Sequence, residues 1–327
     1  MSRSRLLLLL LTLAVALPAP SALASTRGNP FRGARFFIDN DSAAARQVRA
    51  WRLTRPLDAL AVSKISSTPS AEWLGGWVNP VGPHLRWTIS TRLRPQHANG
   101  FFVLYNLPYR DCGGYSSGGM RSAAQYKRWV NQIRSGIGSY PSVVIVEPDG
   151  LPIVRCLSAA GQRERFALER YAVRRLGSLP HTSVYLDAGG VSWPQPHVMM
   201  QRLKAAGVRY ARGFALNTTG YDRTGDEVRY GRQIAAGVGR KHFIVNTSRN
   251  GRGPLPRSLA PPSEDLWCNP WGRGLGVRPT TNTGDSLFDS FEWSSNPGYS
   301  DGPCNGGPRS GEWWPDLALG FARNAAF

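Results

Sequence analysis

Short apolar runs alternate with amphipathic stretches along this chain, and that alternation constrains the fold more than any other feature. The runs are Phe36–Asp39, Glu72–Val78, Phe101–Leu107, Val143–Glu147, Ser183–Asp187, Ala211–Leu216, His242–Thr247 and Leu287–Trp293. Between them the helical period is clearest over Arg121–Ile137, where Tyr126, Trp129, Val130, Ile133 and Ile137 fall on one face. Gln162–Leu176, His197–Ala206, Glu227–Val238 and Trp314–Asn324 are further helix candidates. Strands that alternate with helices form parallel sheets. Seven or eight such units in about 300 residues predict an α/β fold, a distorted barrel of seven to eight mainly parallel strands. Polar residues stand where these strands stop: Arg110 and Asp111, Glu147 and Asp149, Asp187, Asn217, Ser248 and Arg249. A parallel barrel gathers such ends at its C-terminal face, so a substrate cleft is expected there.

The chain opens with Met1-Ser-Arg-Ser-Arg5, continues into the apolar run from Leu6, and reaches the small-residue stretch Ser21-Ala-Leu-Ala24. A basic start, an apolar stretch and small residues at a cleavage site predict a signal peptide over residues 1–24. The run, broken by Pro18 and Pro20, is short of the ~20 residues that span a membrane. Residues 25–327 then form one domain, expected to be secreted, extracellular and monomeric. Pro254–Pro262 and Gly298–Gly311 read as loops.

The four cysteines, Cys112, Cys156, Cys268 and Cys304, suggest two disulfides in an exported chain, with three pairings open. Their spacing fits no metal site, and no cofactor is expected. The formal charge of +19 comes almost wholly from arginine, lysine occurring only at Lys64, Lys127, Lys204 and Lys241. The arginines are scattered and form no basic run, so a solvated basic surface is expected and nucleic acid is not an expected partner.

No Gly-Lys-Ser/Thr phosphate loop occurs, and carboxylates stand out as the available chemistry. Glycoside hydrolysis needs one protonated carboxyl as proton donor, and inversion needs a second carboxylate further off to activate water. Val143-Val-Ile-Val-Glu-Pro-Asp149 delivers a strand end to the mouth and stops the ladder at Pro148. Burial and a neighbouring carboxylate would keep Asp149 protonated. Asp111 is the natural neighbour, and Arg110 is expected to hold it ionised. Trp73, Trp77, Trp193, Trp267, Trp271, Trp293, Trp313 and Trp314 supply flat rings on which sugar C–H faces stack; Trp129, on a helix face, is read as core.

Tyr105-Asn-Leu-Pro-Tyr-Arg-Asp-Cys112 and Val144-Ile-Val-Glu-Pro-Asp149 resemble signatures of glycoside hydrolase family 6, the inverting cellulases. Tyr185-Leu-Asp-Ala-Gly189, Gly213-Phe-Ala-Leu-Asn217, Thr247-Ser-Arg-Asn-Gly251, Trp267-Cys-Asn-Pro270 and Ser300-Asp-Gly302 match further blocks of that family in order. The resemblance runs from about Asn29 to Ala325. It implies a β-glucan substrate, with Asp149 as catalytic acid and Asp111 tuning it and guiding the water. Tyr105 would press on the distorted sugar, and Ser117 would position the water. Asp301 matches the residue often proposed as base. Asp187, Trp193, Asn217, Arg249 and Trp267 would line sugar subsites. The same resemblance implies the pairs Cys112–Cys156 and Cys268–Cys304.

Three positions depart from the family pattern. Where it usually shows Lys-Pro-x-Gly-Glu-x-Asp-Gly, this chain has Ser295-Asn-Pro-Gly-Tyr-Ser-Asp-Gly302, so Ser295 replaces the lysine and Tyr299 the glutamate. Gly190 stands where many members carry histidine. The mouth loops read as short for a closed tunnel, which favours an endo-acting β-1,4-glucanase. An exo-acting cellobiohydrolase and a glucan-binding protein without catalysis are the alternatives.

Overall fold

The computed structural model describes residues 28–262 and 265–327, and the expected signal peptide lies outside them. Seven strands form one sheet in chain order, every neighbouring pair parallel. They are β1 (Glu72–Leu74), β2 (Gly100–Leu104), β3 (Ser142–Val146), β4 (Thr182–Asp187), β5 (Gly213–Leu216), β6 (His242–Asn246) and β7 (Phe288–Glu292). Among the described residues eight α-helices accompany them: α1 (Ala43–Trp51), α2 (Pro56–Ser66), α3 (Val81–Thr88), α4 (Ala123–Ile137), α5 (Ala159–Gly177), α6 (Pro196–Ala205), α7 (Thr224–Gly237) and α8 (Pro315–Arg323).

The central strands β2 and β3 read as apolar runs because both faces are covered. In β3, Val143 and Ile145 point into the barrel, where they meet Phe101, Val103, Tyr185 and Ile244. Val144 and Val146 point outward beneath the helices and join the larger core. The helix ends follow local chemistry. The Ser122 hydroxyl accepts from Gln125 N at the start of α4, and Gly138 leaves the helix at φ 57°.

The expected eighth strand, Phe36–Asp39, is not formed. Phe36 makes one parallel bridge with Asn99, while its ring packs on Phe31 and Phe101 at the barrel floor. Phe37 packs instead against the outer core. The barrel is therefore open between β7 and β1. Across the gap Ala71 N donates to Trp293 O (3.0 Å) and Trp73 Nε1 to Ser294 O (2.7 Å). A satellite core from α1, α2 and α8, centred on Val62, Leu317, Phe321 and the buried Trp293, packs alongside. Among the described residues no helix is long and apolar enough to cross a membrane.

Candidate active site

Strand β3 ends in a kink that turns one carboxylate towards the cleft and buries another. Glu147 and Asp149 both adopt left-handed backbone, φ 55° and 68°, on either side of Pro148. Glu147 turns inward, and its Oε2 accepts from the amides of Asn106 (2.8 Å) and Leu107 (3.1 Å). Burial raises its pKa, and those two amides oppose the rise. This contact staples the end of β2 to the end of β3 and so sets Tyr105 beside Asp149.

Asp149 reaches the floor of the cleft. Its Oδ1 accepts from the Thr219 hydroxyl (2.8 Å) and its Oδ2 from the Tyr105 hydroxyl (3.4 Å). Beneath it, Asp187 Oδ2 accepts from the backbone amides of Asp149 and Gly189, each at 3.1 Å. Burial first, and then the charge of Asp187, push the Asp149 carboxyl up to about 7, against the pull of the Thr219 and Tyr105 hydroxyls. Burial likewise lifts Asp187 to about 6. A carboxyl neutral near pH 7 is what a general acid requires. Asp187 was expected on a subsite wall. It is 1% exposed and lies below the cleft, so its field falls on the acid.

Asp111 sits on the loop after β2, which Cys112–Cys156 ties to the loop after β3 with a Cα–Cα distance of 6.1 Å. Its Oδ2 accepts from Ser116 N (2.7 Å), and burial raises its pKa against that amide and the charge of Arg110. The expected Arg110–Asp111 clamp is replaced by another arrangement. Arg110 donates through Nε to Ser116 O (2.7 Å), Nη1 to Tyr105 O (2.9 Å) and Nη2 to Ser117 O (3.1 Å). Its planar fork fits three converging carbonyls of a curled loop, so it shapes the loop that carries Asp111. Ser117 is exposed on that loop and lines the cleft.

Asp301 enters from the opposite side, beside the second disulfide, Cys268–Cys304. Its Oδ1 accepts from Arg249 Nη1 (2.6 Å), and its Oδ2 from the Tyr221 hydroxyl (2.9 Å) and Asn269 N (3.0 Å). Arg249 also donates to Thr219 O. A hydrogen-bonded path thus joins Asp149, Thr219, Arg249 and Asp301, with two residues between the carboxylates. Arg249 is 6% exposed, and this engagement makes it a partner of Asp301. Asn217 is likewise occupied: its Nδ2 donates to Asp222 O and Asn246 O, and its Oδ1 accepts from Asp222 N. It fixes the loop that presents Thr219. Thr219, Tyr221 and Asn269 were not anticipated as site residues. The cluster Asn217-Thr-Thr-Gly220 directly after a strand end was the available signal for Thr219.

The cleft has a volume of about 1450 Å³ and is lined by Tyr105, Asp111, Asp149, Thr219, Arg249 and Asp301 together. Trp193 and Trp267, 38% and 59% exposed, stand on its walls. The loop after β2 also crosses it. Tyr115 stacks on Trp267 with centroids 5.8 Å apart, and the Ser116 and Ser310 hydroxyls meet at 2.6 Å. These contacts bring the loop after β2 against the segments that carry Trp267 and Ser310.

The three departures have local explanations. Ser295 Oγ donates to Thr218 O, and Tyr299 packs edge-on against Trp313 at 5.4 Å, so both line the cleft without a charge. At Gly190 a Cβ would stand 2.5 Å from Glu227 Oε1, which accepts from Val191 N (2.9 Å). The buried Glu227 leaves room only for glycine.

Residues 31–325 match the description Glycosyl hydrolases family 6. Endoglucanase A of Cellulomonas fimi is 39% identical over 293 residues, covering 89% of this chain and 61% of that protein. The chain thus spans less than two thirds of that relative's length. Endoglucanase 1 of Streptomyces halstedii is 35% identical over 313 residues, covering 92% of this chain and 91% of that protein. Among solved structures, the endoglucanase Cel6 from Mycobacterium tuberculosis, in complex with methyl-cellobiosyl-4-deoxy-4-thio-β-D-cellobioside, superposes with a TM-score of 0.84. It is 37% identical and covers 91% of this chain and 99% of that one. The catalytic core of the cellobiohydrolase Cel6A from Chaetomium thermophilum gives a TM-score of 0.74 at 27% identity, covering 91% of this chain and 99% of that one. The match across nearly the whole described chain and the shared seven-stranded open barrel agree: this chain belongs to glycosyl hydrolase family 6.

Proposed function

We propose that this chain is a secreted endo-acting β-1,4-glucanase that cleaves with inversion. The observation that carries the reading is Asp149, a carboxyl raised to about 7 at the floor of a long cleft and held by Tyr105 and Thr219. In the proposed reaction Asp149 protonates the glycosidic oxygen. Tyr105 lies against the distorted ring, and a water held near Asp111 and Ser117 attacks from the opposite face. Asp301 is the candidate base. Its ion pair with Arg249 (2.6 Å) fixes the orientation of its carboxylate. The disulfides and the basic, apolar start of the chain support export.

Endo action rests on the named relatives, three of which are endoglucanases. The Tyr115–Trp267 contact across the cleft favours a second reading, exo action along an enclosed chain. Carboxymethyl cellulose, mixed-linkage glucan and xyloglucan are the substrates to assay. Endo action predicts a fall in viscosity well ahead of the release of reducing ends. Release of cellobiose with viscosity nearly constant would replace it by exo action. Binding without hydrolysis of any of the three would overturn the enzyme reading.

A further inference from the structure

Tyr109, Asp111 and Cys112, on the loop after β2, adopt left-handed backbone at φ 55°, 56° and 50°, although none is glycine. Residues with side chains disfavour that conformation, and a loop carrying three of them persists only where its surroundings hold it. Two guanidiniums do so. Arg110 grips one side from within the loop, on the carbonyls of Tyr105, Ser116 and Ser117. Arg165 of α5 grips the other side. Its Nη2 donates to Pro108 O (3.1 Å) and Tyr109 O (3.0 Å), and its Nη1 to Gly150 O (3.3 Å). One planar fork therefore joins the loop that carries Asp111 to the residue that follows Asp149.

Arg165 is 3% exposed. A buried cation is costly unless hydrogen-bonded, and the three carbonyls meet that need. The two ends of this bridge are not equally dependent on it. Asp149 has further anchors: its amide donates to Asp187, its carboxylate meets Thr219 and Tyr105, and Arg202 of α6 donates to the next carbonyls, Leu151 O (2.9 Å) and Pro152 O (2.7 Å). At the other end Arg165 acts where the backbone is strained, on the two residues just before Arg110 and Asp111. We infer that Arg165 is a positioning residue that fixes Asp111 relative to Asp149. The inference rests on the glucanase reading above and on the role given there to Asp111. Lysine cannot replace it, because an ammonium on a flexible stem lacks the rigid, forked donors that meet three carbonyls.

The test is a double-mutant cycle on cellohexaose with wild type, Arg165→Lys, Asp111→Asn and the two combined, and with thermal unfolding as the check on folding. Arg165→Lys keeps the charge and most of the stem. It is expected to lower kcat/KM about ten- to a hundredfold, the cost of a small displacement in a catalytic constellation. In the Asp111→Asn background the same change should cost no more than about twofold, since the residue it positions has already lost its charge. The pH profile reads the same displacement. The charge of Asp111 helps to hold the Asp149 carboxyl protonated, so moving it away should shift the alkaline limb to lower pH. Asp187 of β4 and Arg249 after β6 also act on Asp149, and both have their own anchors. Equal losses in the two backgrounds with the limb unmoved would make Arg165 a general support of the fold and overturn the inference. So would full activity in Arg165→Lys. Wild type that stays folded and cleaves no cellohexaose would overturn the glucanase reading itself, and the role of Arg165 with it.

Discussion

At the scale of single residues, the site is governed by the protonation of Asp149. Its pKa of about 7 arises mainly from burial, helped by Asp187 and opposed by Thr219. The acid must be protonated to act, so turnover should fall as pH rises through about 7. Thr219→Val removes a donor to the ionised form, so the alkaline limb of the rate profile should move upward; an unmoved limb would mean that another group titrates. Asp149→Asn should lose about 10²–10⁴-fold in turnover on glucan and much less on aryl glycosides whose leaving group needs no proton. Equal losses on both substrates would remove Asp149 from the role. The same pKa has a cost in stability. The folded value lies above the ordinary 3.8, so the folded protein holds this proton more tightly than the unfolded chain does. This contribution to stability is full below the unfolded pKa and is lost as pH rises towards about 7. Asp149→Asn should therefore be more stable than wild type at ~pH 8, with the gap closing towards ~pH 4. Urea unfolding at both pH values measures it, and a gap independent of pH would contradict the burial argument. Asp111, Asp149 and Asp301 were legible because each sits in a motif at a strand end or in a loop. Glu147 and Thr219 were less so, because their roles depend on neighbours 40 and 70 positions away in the chain. Arg110 acts on Asp111 by charge and not by contact, because adjacency to an aspartate in sequence does not determine where a guanidinium points.

At the scale of elements, seven strands were legible from the sequence because strands buried on both faces are mostly apolar; β7 is the exception, carrying Asp289 and Ser290 buried in its middle. Their lengths were overread where the chain leaves the ladder but stays buried, as in Asn106–Leu107 after β2. Phe36–Asp39 misled because two adjacent aromatic rings looked like a strand, whereas each packs into a different core. Helices α1, α2 and α3 were not read at all. Helices α1 and α2 precede the first strand and lie outside the repeating strand–helix pattern, and α2 exposes Leu57 and Leu60; α3 is the short crossover between β1 and β2, packed on α4. The loops that carry the carboxylates depend on the disulfides. Cys112–Cys156 closes a separation of 44 residues and joins the loops of Asp111 and Asp149, and a bridge of this kind typically contributes about 2–4 kcal/mol. Cys112→Ser with Cys156→Ser should lower the unfolding midpoint and lower activity more than the loss of folded protein accounts for, since Asp111 is then free to move. Activity that tracks only the folded fraction would show that the bridge does not position the loop.

At the scale of the whole molecule, the barrel brings together carboxylates that the chain keeps far apart. Asp149 follows β3, while Asp301 comes from the loop after β7, across the opening that the seven strands leave. A retaining enzyme needs its two carboxyls ~5–5.5 Å apart so that one can attack the sugar; an inverting enzyme leaves ~6.5–9.5 Å for a water. Here the route between the two runs through the Thr219 hydroxyl and carbonyl and the Arg249 guanidinium, so the carboxylates flank that pair without touching. Asp111 is held by Ser116 N on a curled loop, with its charge bearing on Asp149. Inversion requires room for a water on the face of the sugar opposite the acid. Inversion of a β-linked glucan at the first turnover gives α-configured product. Proton NMR of the anomeric signals during the first minutes of hydrolysis, before mutarotation, should therefore show α product accumulating ahead of β. Initial β product would mean direct attack by a carboxylate and would remove the roles proposed here for Asp111 and Asp301.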